Sequence, residues 1–349
     1  MPARRTFALS SVAVIGAVLF LFPLVTGMLS KAQSVDTLTG DLRGSFEPDA
    51  LIQTRTDMNT VQAMADQLQA ETLPALPNAL GMPPEQFQGF MSENFPDVAS
   101  GIEQLDTILP KFQGLVTGLE TQAPNFRSAD QIPTNFLPST TVPYLFLVPG
   151  AVLFVLAGGA LVLGRNPARS GLSRVALLLS VATGVVFVIA PLILSVPAKT
   201  QAVDDLTAAF GPIFTDEGVA AVRSDMDVIQ KMSDQLQAET APALAEALKM
   251  DPTQFQGFMG QNFPAVASGM GQLNEILPRF QALVAGMEQN VDNFQAAASI
   301  PTATQPTTTL TWWLVVPGVA LIVLGGLGIP ATRNAESRTT PRERTLQGV

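Results

Sequence analysis

Asp66-Gln67-Leu68-Gln69-Ala70-Glu71-Thr72 occurs twice in this chain, returning 168 positions later as Asp234-Gln235-Leu236-Gln237-Ala238-Glu239-Thr240. The same offset carries Gln86-Phe87-Gln88-Gly89-Phe90-Met91 onto Gln254-Phe255-Gln256-Gly257-Phe258-Met259. It carries Asn94-Phe95-Pro96 onto Asn262-Phe263-Pro264, and Ile108-Leu109-Pro110 onto Ile276-Leu277-Pro278. No gap is needed to align Pro23 with Pro191, Val148-Pro149-Gly150 with Val316-Pro317-Gly318, or Arg165-Asn166 with Arg333-Asn334. The chain reads as one unit of about 168 residues written twice, and any fold assigned to it must be a fold of that unit.

Each unit contains two long uncharged runs. The four are 7–28, 142–163, 175–196 and 310–329. Each holds about 20 residues, the length a helix needs to cross a hydrocarbon core of about 30 Å. They are apolar on every side, unlike the one-faced stripe of a helix lying on a soluble core. Arg4 and Arg5 before the first run are also compatible with a signal peptide. That run is longer than a signal core, lacks a small-x-small exit, and has an internal copy at 175–196, so it reads as an uncleaved span.

Charge orients the spans. The net charge of −10 divides into short segments with 9 basic and 2 acidic residues and long loops with 10 basic and 27 acidic ones. Arg4 and Arg5, then Arg165, Arg169 and Arg174, then Arg333, Arg338, Arg342 and Arg344 all flank spans on one side. Short basic segments stay in the cytoplasm. The expected map is therefore a cytoplasmic N-terminus at 1–6, spans at 7–28 and 142–163, and a basic cytoplasmic loop at 164–174. Spans at 175–196 and 310–329 and a cytoplasmic tail at 330–349 complete it. The loops at 29–141 and 197–309 lie outside as two helical extracytoplasmic domains. Tyr144, Trp312 and Trp313 fall at outer span ends, where interfacial aromatics belong. Two spans per unit bring both copies into the membrane the same way up, so the repeats are parallel, related by an axis along the membrane normal.

Within the loops the apolar spacing is helical. Met58, Val61, Met64 and Leu68 step by three or four, as do Met226, Ile229, Met232 and Leu236. Asp251-Pro252-Thr253-Gln254 is a helix start, with Asp251 as N-cap, Pro252 in the first turn and Gln254 reaching back. Pro96 and Pro264 open a further helix, and Pro110 and Pro278 are expected to divide it from a last one. Segments 128–141 and 296–309 are rich in Pro, Ser and Thr and read as extended tethers. Alternating β-branched residues are scarce, so no sheet is expected.

The chemistry available is narrow. Cys and His are both absent, which removes disulfides, thiol chemistry and the usual base near neutral pH. No cofactor motif or metal-binding loop is present, and basic residues do not cluster outside the short flanks, which argues against nucleic acid. Asp57, Asp66 and Glu71, with Asp225, Asp234 and Glu239, read as a solvated face in preference to a calcium site. Phe87, Phe90, Phe95 and Phe112, with Phe255, Phe258, Phe263 and Phe280, form either a helical core or an apolar groove for a partner helix or a lipid. Gly158, Gly159, Gly325 and Gly326 are candidate helix-packing residues.

The expectation is an all-α membrane protein: four transmembrane helices in two parallel tandem repeats, each carrying a helical extracytoplasmic domain. The layout resembles tetraspanins and claudins in topology alone. Their cysteine motifs are missing, so no property is carried over from them. The expected role is a non-enzymatic scaffold or interaction protein of the cell envelope. It would sit in the cytoplasmic membrane with both termini inside, its acidic outer domains contacting a protein partner or one another, and no cofactor. The alternative is a transport component for lipid or another hydrophobic substrate, with a route between the repeats.

Overall fold

The computed structural model describes residues 3–163 and 170–336, so residues 164–169 of the expected basic loop at 164–174 and residues 337–349 of the expected tail at 330–349 lie outside the described residues, while 170–174 belong to the helix Ser170–Ile193. Among the described residues the regular structure is helical, with isolated bridges at Thr134–Leu137 and Thr302–Gln305. The first half contains α1 Ala3–Val25, α2 Met28–Leu42, α3 Pro48–Gln67, α4 Leu73–Leu80, α5 Pro84–Asn94, α6 Pro96–Asp130 and α7 Thr141–Leu163. The second contains α8 Ser170–Ile193, α9 Val196–Phe210, α10 Asp216–Gln235, α11 Ala241–Ala247, α12 Pro252–Asn262, α13 Pro264–Gln289, α14 Val291–Ala298 and α15 Thr309–Glu336. The residues cluster into two compact units, one of apolar helices and one of polar helices.

Among the described residues, the apolar unit takes those up to 39, those within 125–207 and those from 296 onward. It holds the four helices long and apolar enough to cross a membrane, Ala3–Val25, Thr141–Leu163, Gly171–Ile193 and Thr309–Ile329. The first and third stop about three residues short of the uncharged runs. Gly27 (φ +65°) and Ser195 (φ +53°) take left-handed backbone there, which ends an α-helix. Helix α1 packs along α7 and α8 along α15, and the two pairs close on each other through α1 with α15 and α7 with α8. Leu9, Val12, Leu19, Phe146, Leu153, Leu177 and Leu321 fill the interior. The outward faces are also apolar, with Val14, Val155, Val186 and Val323 exposed, a surface that water does not tolerate and lipid does. Trp313 stacks on Phe22 with ring centroids 4.2 Å apart.

The two Pro-rich segments are not extended tethers. Each folds into a short, fixed turn. The Asp36 carboxylate accepts from the Ser139 and Thr140 N–H groups at 2.7 and 3.2 Å, and Asp204 accepts from Thr307 and Thr308 at the same distances. Each carboxylate thus caps the start of α7 or α15 from a remote position. The Lys199 ammonium donates to the Gln131 and Pro133 carbonyls at 2.7 and 3.0 Å, and Lys31 donates to Ser299 and Pro301 at 2.8 and 3.3 Å. Burial holds both ammonium groups below the ordinary lysine pKa. Composition cannot separate a tether from such a turn, because the groups that fix it stand up to 270 positions away.

The polar unit takes residues 40–124 and 208–295, so its core is drawn from both long loops. Helix α3 packs on α13 of the other half. Its counterpart α10 meets α6, where Met232 lies against Gly101, as Met64 lies against Gly269. A Cβ on either glycine would come within 2.6 Å of the methionine sulfur. Contrary to the reading of Pro110 and Pro278 as helix boundaries, both lie inside continuous helices. A proline removes one backbone bond and bends a helix, and packing on both sides can hold it there. The Asp251 N-cap is present with its capping box, Gln254 N–H to Asp251 at 2.9 Å and Asp251 N–H to Gln254 at 3.1 Å.

The duplicated heptapeptide now has a physical account. Pro74 and Pro242, two residues beyond it, offer no N–H to the carbonyl four residues back. The chain widens into a π turn at Leu68–Thr72 and Leu236–Thr240. The Thr72 and Thr240 hydroxyls each bond a carbonyl five residues back, at 3.3 and 3.2 Å. Leu68 and Leu236 are buried. The Gln67 side-chain oxygen accepts from Ala265 and Val266 N–H at 2.8 and 3.2 Å, capping α13. Gln235 does the same for α6, accepting from Asp97 and Val98 at 2.9 and 3.0 Å. Each amide is oriented by donating to a carboxylate one turn on, Gln67 to Glu71 at 2.8 Å and Gln235 to Glu239 at 3.0 Å. Gln235→Ala should lower stability by about 1 kcal/mol, the size of a lost N-cap. Amide exchange should speed up at Asp97 and Val98 and stay unchanged at Ala265 and Val266. Unchanged exchange at Val98 would show that the cap does not matter.

Candidate binding groove

The polar unit contains a groove of about 860 Å³, within the range of small-molecule and peptide sites. Four elements build it. The π turn at Leu236–Thr240 and α11 supply Gln237, Ala241, Pro242, Ala245 and Glu246. Helix α12 supplies Phe255, Gln256 and Met259, and α13 supplies Ala267, Met270 and Gly271. The floor is apolar because Phe255 and Met259 lie on the inner face of α12, one turn apart and both buried. The walls carry small residues, and Gly271 has open space where a Cβ would stand. Of the lining residues, Glu246 alone is charged.

The eight phenylalanines singled out from sequence divide between core and groove. Phe112 and Phe280 meet edge to face at 5.9 Å and belong to the core, beside a void of about 20 Å³ among Met58, Met226 and Ile229. Phe95 and Phe263 are buried at the ends of α5 and α12, with half-buried Phe90 and Phe258 against them at 5.7 and 6.1 Å. Phe255 lines the groove. Phe87 is its buried equivalent in the first half. Ala241 and Ala245 carry no distinctive signal in the sequence; the π turn and α12 bring them to the groove.

Of the four glycines expected to pack helices, Gly325 does, with its Cβ direction 2.5 Å from Val181 and 2.8 Å from the Leu177 carbonyl. Gly158 and Gly326 face open space, and Gly159 approaches Leu172 alone, at 3.9 Å. Equally close helix crossings lie at two further glycines. A Cβ on Gly16 would stand 2.6 Å from the Phe154 nitrogen and 2.9 Å from the Gly150 carbonyl, and one on Gly184 would stand 2.5 Å from the Gly318 carbonyl. The signal was present: Gly16 and Gly184 share the 168-residue offset, as do Gly150 and Gly318.

The carboxylates do not form one solvated face. Asp57 is 2% exposed and takes a two-bond clamp from the Arg279 guanidinium, at 2.6 and 2.8 Å, with a third bond from Gln53 at 2.7 Å. The clamp holds the Arg279 pKa above its ordinary value. The equivalent pair, Lys111 with Asp225 at 2.7 Å, is more open. Asp66 and Glu71 accept from glutamines on their own helix. No group of three or more acidic residues suited to a metal ion occurs among the described residues. Comparison of the chain with protein-family models and with curated proteins finds no match.

Proposed function

We propose that the protein is a non-enzymatic integral protein of the cytoplasmic membrane that holds a protein partner through its polar helical unit. The observation that carries this reading is the groove: apolar, roomy and lined by adaptable methionines, with no titratable cluster at its walls. On this reading the chain is a tandem duplication of a two-span hairpin and its helical loop. The corresponding contacts at 168-residue spacing support it: Asp36 and Asp204, Lys31 and Lys199, Gln67 and Gln235, Gly16 and Gly184. The arginines of the short segments support a cytoplasmic side for both termini, and one crossing between each of those segments and the long loops then supports an outer position for the polar unit. Transport between the halves has less support, because the crevice in the apolar unit beside Phe146, Phe187 and Leu314 is about 80 Å³, room for a few methylene groups.

Cysteine labelling tests the sidedness in a chain that has no cysteine of its own. Ser100→Cys should react with an impermeant maleimide from outside intact cells, and Ser170→Cys after lysis alone. The reverse pattern would refute the orientation. Ser268 is exposed beside the groove wall. A benzophenone maleimide placed on Ser268→Cys should crosslink the chain to protein on irradiation in native membranes. Crosslinks to lipid alone would favour the transport reading.

A further inference from the structure

We infer that the groove between α11, α12 and α13 takes a cationic amphipathic helix, with the helix's apolar side chains on Phe255 and Met259 and its basic ones toward the surrounding acidic surface. This rests on the reading of the chain as an interaction protein and names the site and the partner chemistry. Three observations converge on it.

The first is shape. The groove's walls are Ala241, Ala245, Ala267 and Gly271. Small residues let a helix backbone approach closely, while Met250, Met259 and Met270 can repack around anchors of different shape. The second is the difference between the two halves. Where the second half has Ala241 and Gly271, the first has Leu73 and Glu103 at the equivalent positions, so the second half's residues leave more room. The floor is common to both, Phe255 with Met259 corresponding to Phe87 with Met91. The third is charge. Residues 40–124 and 208–295 carry 23 acidic and 7 basic side chains, and the groove's own charge is Glu246. A fatty acid or an anionic lipid would bring its headgroup against that field, whereas lysines flanking an apolar stripe would be drawn to it.

The test uses the purified full-length protein in detergent at physiological salt, where nonspecific surface attraction is screened beyond about 8 Å. The probe is a fluorescein-labelled helical peptide of leucine and lysine, compared with a leucine–glutamate counterpart and a dansyl-labelled fatty acid. The lysine peptide should bind and the other two should not. Gly271→Trp from one wall and Gln256→Trp from the other fill the groove without changing its charge. Each position is exposed, and no atom lies within 4 Å of a Cβ at Gly271. Both variants should weaken peptide binding at least tenfold, while Gly271→Ala should not. Equal binding by the tryptophan variants would reduce the interaction to surface adsorption and overturn the site. Displacement of the lysine peptide by the fatty acid would make it a lipid site and overturn the partner. If the tryptophan variants still crosslink to protein from Ser268→Cys as strongly as before, this groove falls and the interaction reading stands.

Discussion

Replacing Arg279 with methionine should destabilise the polar unit by about 3 kcal/mol, the low end of what removal of one partner from a buried hydrogen-bonded charge pair costs. The argument turns on the carboxylate left behind. Asp57 has a side chain 3% exposed, and Arg279 supplies two of its three hydrogen bonds. Methionine keeps much of the arginine stem's packing but leaves a buried anion with Gln53 as its remaining donor. The low end applies because Arg279 is itself 42% exposed, so water already screens part of the pair. The reciprocal pair is an internal control. Asp225 is 16% exposed and Lys111 48%, so Lys111→Met should cost under about 1 kcal/mol. Hydrogen exchange along α3 and α13 reads the first loss, and exchange along α6 and α10 reads the second. Equal losses from the two substitutions would mean that burial of Asp57 contributes nothing special.

The same pair shows where sequence reasoning stops. Asp57 and Asp225 are identical residues at identical places in the duplicated pattern, and the sequence alone reads both as part of a solvated face. Their partners differ, arginine against one and lysine against the other, and stand on helices more than 100 positions away. Periodicity gives the helices and the apolar runs give the spans, because both are local signals that repeat within a few residues. The partnering of α3 with α13 is long-range, and a duplicated sequence is silent about whether each loop packs on itself or on its copy. Gln67 makes the point again. A glutamine in a helix is unremarkable until the start of α13 arrives beside it and needs an acceptor. The groove was half legible. Phe255 and Met259 show in the spacing, but the room above them comes from a π turn, and π turns have no composition of their own. Pro242 was the available clue, standing where a regular helix would need an N–H.

The largest effect expected in the apolar unit comes from one methyl group. Gly184→Ala should cost at least about 2 kcal/mol, and Gly16→Ala a similar amount, because the nearest atom the added carbon meets is backbone, which cannot rotate away as a side chain can. At Gly184 it would stand 2.5 Å from the Gly318 carbonyl oxygen and 3.0 Å from the Ile322 nitrogen. At Gly16 it would stand 2.6 Å from the Phe154 nitrogen. The helices must separate to admit it, and separation opens the interior around Phe146, Leu153 and Leu321, where contacts at van der Waals distance hold the pairs together in place of a hydrophobic drive. Gly326→Ala supplies the comparison. Its Cβ meets open space, and alanine is the better helix former, so that change should be neutral or slightly stabilising. Tryptophan fluorescence follows the unfolding, because the chain's two tryptophans are Trp312 and Trp313 and the latter is stacked on Phe22 inside this unit. In detergent, heating should release the Trp313 signal several degrees earlier in Gly184→Ala and Gly16→Ala than in the parent or in Gly326→Ala. If the three substitutions shift the transition equally, the helices are not held by close backbone approach at these crossings, and the pairing of α1 with α7 and of α8 with α15 must rest on the larger side chains alone.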